Sequence, residues 1–132
     1  MVLLSKIFIF LFVIQSPIAI QFTTDLFQQN PFIAKLELNE TEGKLNIVGK
    51  FENNSTDSIF IRYEMKANKI GKSGKSISTQ SGNYISEPNI ELVLAKVGLN
   101  IDNETKYEII LEVFKEEELI SADSLNYIPE NH

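Results

Sequence analysis

From Phe32 to Tyr127 apolar and polar residues alternate with a period of two, in short runs separated by turn-forming residues. That pattern restricts the chain to half-buried strands, because period two puts successive side chains on opposite faces of a sheet while a helix needs a period near 3.6. Seven runs are present, at residues 32–38, 44–51, 58–68, 76–80, 89–94, 107–114 and 118–127. In "SIFIRYEMKAN" Ile59, Ile61, Tyr63, Met65 and Ala67 fall on one side and Phe60, Arg62, Glu64, Lys66 and Asn68 on the other. In "KYEIILEVF" the alternation places Tyr107, Ile109, Leu111 and Val113 inside and turns Glu108, Ile110, Glu112 and Phe114 outward, with Leu45, Ile47 and Phe51 as the facing layer. "NETEGK" and "FENNSTDS" hold the Asn, Asp, Ser and Gly that accept turn dihedrals, so they read as loops between adjacent strands. The expected fold is all-β, an immunoglobulin-like antiparallel β-sandwich of about seven strands occupying residues 32–128. Tyr107 opens a late strand directly after "NIDNETK", which fits either a tyrosine corner tied to that loop or an ordinary core tyrosine.

Ahead of this domain, residues 1–19 ("MVLLSKIFIFLFVIQSPIA") carry one early lysine, an apolar run from Ile7 to Ile14 and then Pro17 before a small residue. The run is short for a bilayer span and no basic stop-transfer segment follows, so it reads as a signal peptide, with residues 20–31 as an N-terminal segment or linker. Export to the periplasm without stable membrane insertion is the expectation. The full chain of 132 residues carries a net charge of −6, and loss of the leader removes Lys6 and makes the remainder more acidic. An acidic domain does not suit the phosphate backbone of nucleic acid. The chain has no cysteine, so it is stable through packing alone and has no thiol chemistry.

"KIGKSGKS" at residues 69–76 ends in the Gly-Lys-Ser of a phosphate-binding loop, but the spacing fails. Such a loop needs its first glycine five residues before Gly74, where Lys69 stands, and it must lead into a helix, whereas "SISTQSGNYISEP" follows. No nucleotide is expected. His132, the only histidine, is the last residue, and the three carboxylates of "KEEEL" splay from a hairpin turn without calcium-loop spacing. No catalytic residue, metal or cofactor is expected, and the chain reads as a non-enzyme and a monomer. What stands out is Lys66, Lys69, Lys72 and Lys75, four lysines within ten positions of an acidic protein. They suit either capture of an acidic or polar partner or the protection of a sheet edge against pairing.

The order "YEMKANKIGKSGKSISTQSGNYISEP", then "LVLAKVGLNI", then "KYEIILEVFKEEELISADSL" resembles the curli assembly proteins of the CsgH and CsgC type over residues 32–127. The matching elements are an aromatic-bearing strand, the Gly-Lys-Ser-Gly-Lys-Ser turn, a Gln-Ser-Gly, a later Leu-Asn and a tyrosine opening a strand that ends in a hairpin. The resemblance implies a seven-stranded immunoglobulin-like sandwich in the periplasm that keeps a secreted curli subunit from forming amyloid before it leaves the cell. Lacking the Cys-x-Cys pair of the CsgC branch, the chain is more similar to the CsgH branch, and a redox role is not carried over. For a curli amyloid subunit as client, the lysine cluster would supply electrostatic capture and the outward Phe60, Ile110 and Phe114 a weak apolar contact. The other reading is an exported adhesive or scaffold module without chaperone activity.

Overall fold

The computed structural model describes residues 30–129. The leader and most of the 20–31 segment lie outside the described residues, as does His132. Seven strands follow one another: β1 (Phe32–Thr41), β2 (Lys44–Asn53), β3 (Ile59–Gly71), β4 (Gly74–Ser86), β5 (Glu91–Asn100), β6 (Lys106–Lys115) and β7 (Glu118–Tyr127). They form two antiparallel sheets, β1-β2-β5 and β4-β3-β6-β7. The chain changes sheet after β2, β4 and β5, and the other connections are tight hairpins, so this is an immunoglobulin-like sandwich.

The alternation in the sequence becomes the core. Ile59, Ile61, Tyr63, Met65 and Ala67 of β3 and Tyr107, Ile109, Leu111 and Val113 of β6 are buried, facing Leu45, Ile47 and Phe51 of β2. Each large side chain so buried contributes about 1.5–3 kcal/mol, which lets a cysteine-free domain of this size stand on packing.

Each end of the sandwich is fastened by one polar side chain. At the end where β2 crosses to β3, the fully buried Asn53 donates through Nδ2 to the carbonyls of Asp57 (2.8 Å) and Ser86 (3.2 Å). Its Oδ1 accepts from the Ser55 amide and hydroxyl, so the side chain has partners at both ends although it comes from a segment whose composition reads as loop. At the opposite end the Tyr107 hydroxyl donates to the carbonyl of Asn100 (2.8 Å) and accepts from the Asp102 amide (2.9 Å), which is the tyrosine corner.

β4 is longer than expected, because it continues past Gln80 through Gly82 and Asn83 to Ser86. Glycine normally weakens a strand, but the ring of Tyr63 lies over Gly82 so closely that a Cβ there would meet Cε1 at 2.9 Å. β5 likewise begins at Glu91, two residues later than the pattern suggests, after a left-handed Asn89, and runs on to Asn100.

Side chains of one sheet close the seams by bonding the edge backbone of the other. On one side Ser121 Oγ accepts the Ala34 amide and Asp123 Oδ2 the Leu36 amide, both at 2.8 Å. On the other, Gln80 Nε2 donates to the Lys96 carbonyl (3.3 Å) and the Tyr84 hydroxyl to the Leu94 carbonyl (3.4 Å). Asp123→Ala strips the half-buried Leu36 amide of its charged acceptor and is expected to lower unfolding stability by about 2 kcal/mol in urea titrations, with the slope unchanged.

Candidate interaction surface

The register of the four-stranded sheet decides which of the singled-out residues lie together. Residues directly opposite each other share a face, and in β3 the odd positions up to Ala67 are the buried ones. The outer face therefore carries Phe60 opposite Ile85, Arg62 between Asn83 and Phe114, and Lys66 between Thr79 and Ile110. Lys75, opposite Ile70, lies in the same outward phase. Five of the seven residues singled out in the sequence, Phe60, Lys66, Lys75, Ile110 and Phe114, thus share one face. Lys69 falls on the other face, opposite Ser76 and Tyr107, and Lys72 sits in the turn itself.

The apolar members differ in access. Phe60 is 69% exposed and Ile110 is 36% exposed, whereas Phe114 is half-buried, with the Arg62 guanidinium 4.3 Å from its ring centroid. Ile85 and Leu119, which the sequence reading did not single out, extend the exposed apolar band at the Phe60 end of the face. Ile85 was missed because the period-two run reads as ending at Gln80, although the strand continues through Gly82 and Asn83 to Ser86.

The lysines are also divided by their partners. Lys66 pairs with Glu64 at 3.4 Å and Lys72 with Glu104 at 3.2 Å, both at the surface. Among the described residues no carboxylate lies within ion-pair distance of Lys69 or Lys75. Those two line a cleft of about 490 Å³ between the β3–β4 hairpin and the β5–β6 loop, beside Ser76, Asn100, Asp102 and Tyr107. The lookalike phosphate loop is the tip of this hairpin. Gly74 takes a φ of +132°, and Gly71 leaves room for Thr105, whose Oγ1 would sit 3.2 Å from an added Cβ. Strands flank it on both sides, so no helix N-terminus faces the Gly-Lys-Ser sequence.

No protein-family model matches the sequence, and no curated protein matches it. In shape the domain resembles the E. coli curli protein CsgC, with a TM-score of 0.60 and 19% identity over 70% of this chain and 96% of that one. It also resembles R. palustris CsgH, with a TM-score of 0.54 and 17% identity over 69% of this chain and 89% of that one. The fold is that of CsgC and CsgH. A third likeness, TM-score 0.51 at 7% identity, covers 74% of this chain but only 14% of Bacteroides uniformis beta-glucuronidase 2. The match to CsgC and CsgH spans nearly all of those two chains, whereas the glucuronidase match is to one small part of a large protein.

On the opposite sheet the charge is already spent locally. Lys50 of β2 reaches Glu37 of β1 at 2.9 Å and Glu91 of β5 at 3.3 Å, tying the three strands together across their outer face. The hydrogen bond donated by Lys50 holds the Glu37 carboxyl below its ordinary range, and donating to Glu37 and Glu91 raises Lys50 above its own. A carboxylate depressed in the folded state stabilises the fold above its unfolded pKa and ceases to do so as pH falls through the folded value. The raised Lys50 contributes below the ordinary lysine pKa and ceases to as pH climbs through its folded value. The urea midpoint is therefore expected to fall as pH drops below about 4.5, and less steeply in Lys50→Met, when followed between about pH 6 and pH 3.

Proposed function

We propose that this protein is an exported, non-enzymatic inhibitor of premature amyloid formation by a curli-type fibre subunit. In this reading it works in the periplasm as a monomer, without cofactor, through transient contacts with early oligomers. The observation that carries the reading is the likeness in shape to CsgC and CsgH over 96% and 89% of their lengths, together with the motif order noted in the sequence.

The physical basis is the behaviour of sheet edges. Amyloid grows when a β-prone segment meets an unpaired edge and then offers a new one. Here β1 and β5 have edge groups bound by side chains from the other sheet. A client strand that docks on such a sandwich has one of its two edges occupied by a soluble partner, and that side is closed to other client strands. Lys69 and Lys75 supply attraction for an acidic client that salt would weaken, and Phe60 with Ile85 a shallow apolar contact.

The other reading, an adhesive or scaffold module, draws on the third likeness, in which a sandwich of this shape forms a small part of a much larger enzyme. Fibrillation of a curli major subunit, followed by thioflavin T, separates the two. With the protein at well under one copy per subunit, the anti-amyloid reading expects a lag prolonged severalfold. The fourfold variant with Lys66, Lys69, Lys72 and Lys75 replaced by glutamine should remain folded and lose most of that delay. An unchanged lag with folded wild-type protein would move the assignment to the scaffold module, and full inhibition by the variant would remove the lysines from the mechanism.

A further inference from the structure

The two long sides of the sandwich are not equally closed. Along β4, Gln80 and Tyr84 reach across to the β5 carbonyls, but these links stop at Gln80. In the hairpin half, residues 75–79, no hydrogen bond joins β4 to β5 among the described residues, and the cleft beside Tyr107 opens there instead. β4 is the end strand of its sheet and pairs with β3 through thirteen residues without a bulge, from Ile59–Ser86 to Gly71–Gly74. It contains no proline. Of the usual means by which an end strand is made unfit for pairing, β4 has no bulge and no proline, and carries a single lysine, Lys75.

The direction of the open backbone follows from the turn. Gly71 and Gly74 flank a two-residue loop, the position where the backbones of a hairpin face each other. Alternation from there turns the backbone N–H and C=O of Lys75, Ile77 and Thr79 away from β3, toward the open edge. Their neighbours Ser76 and Ser78, on the face that carries Lys69, are short. Among the described residues no carboxylate lies within ion-pair distance of Lys69 or Lys75, whereas Lys66 and Lys72 have theirs. Asp102 shares the cleft with them, its Oδ1 accepting from the Glu104 amide at 3.1 Å.

We infer that the open half of the β4 edge takes up an extended, β-prone, acidic segment of a partner protein as an added strand, with Lys69 and Lys75 meeting its carboxylates. The backbone would give the pairing its strength and the two lysines its preference, as in other strand-addition complexes. This inference rests on the anti-amyloid reading for the identity of the partner, but not for the geometry of docking.

The test uses the full chain and three capped eight-residue peptides, read by amide NMR shifts. One repeats valine-valine-glutamate-glutamate, which puts carboxylates on both faces of an added strand, one repeats valine-valine-lysine-lysine, and one is the glutamate peptide with a central proline. The glutamate peptide is expected to shift the amides of Lys69, Lys75, Ile77 and Thr79, with the other two much weaker. Lys69→Gln with Lys75→Gln should weaken it by about tenfold. Ile77→Pro, which removes an outward N–H, should abolish it while the β6 amides stay in place. Should Ile77→Pro unfold the protein, the three-peptide comparison on the wild type decides alone. Equal binding of the three peptides, shifts centred on Phe60 and Ile85, or no shift at millimolar peptide would overturn the docking edge. A protein that delays fibrillation without responding to the peptides would lose this edge but keep the anti-amyloid role. One that binds the glutamate peptide at β4 but leaves fibrillation unchanged would keep the edge and lose that role.

Discussion

The hydrogen bond from the Leu36 amide to Asp123, with its neighbour from Ala34 to Ser121, is the interaction on which the shape of this sandwich depends. Two sheets stacked by apolar faces still have four end strands, each with a row of backbone groups that need partners. Here β7 turns Ser121 and Asp123 inward, in phase with the core residues Val113 and Leu111 opposite them, so that they reach β1 and not solvent. A carboxylate facing inward at a sheet edge satisfies the amide it meets and makes the edge useless to a foreign strand. The same device, weaker and with neutral groups, operates where Gln80 and Tyr84 meet β5. The asymmetry between the two sides fixes where the molecule can still pair.

Much of this was legible in the residues. The number of strands and the inward set of β3 and β6 follow from period-two patterning, because a one-residue slip would expose Ile61 and Met65 and bury Arg62 and Glu64. What the pattern could not reveal were positions where one tertiary neighbour overrides local preference. Gly82 reads as a break, yet the Tyr63 ring covers it and the strand continues. Asn53 reads as a loop residue, yet it is fully buried and bonds to both flanking crossovers. Ser121 and Asp123 carried no signal beyond their place in the last run, because nothing local says that β1 will pass within 2.8 Å of them. Tyr107 was ambiguous between two structural roles until its hydroxyl was placed between Asn100 and Asp102.

The candidate surface was legible as a cluster but not as an arrangement. Four lysines in ten residues are visible at once, but alternation along β3 and β4 distributes them over two faces and a turn, and two of them meet glutamates distant or near in sequence. That leaves Lys69 and Lys75 as the pair whose charge is open to a partner, beside a cleft and an unbroken strand edge. The sequence that imitates a phosphate-binding loop is therefore a hairpin tip: Gly74 serves the turn, Gly71 makes room for Thr105, and the lysines are placed by strand register.

The central claim is that side chains from the opposite sheet occupy the β1 edge at Ala34 and Leu36 and the β5 edge at Leu94 and Lys96, and that among the described residues no such link joins the hairpin half of β4 to β5. Residue-resolved hydrogen exchange of the isolated protein measures it directly. The account predicts slow exchange at Ala34 and Leu36, comparable with the β3–β6 ladder, and fast exchange at the outward amides of Lys75, Ile77 and Thr79 while those of Ser76 and Ser78, bonded to β3, stay protected. Fast exchange at Ala34 and Leu36, or uniform protection along β4, would contradict it.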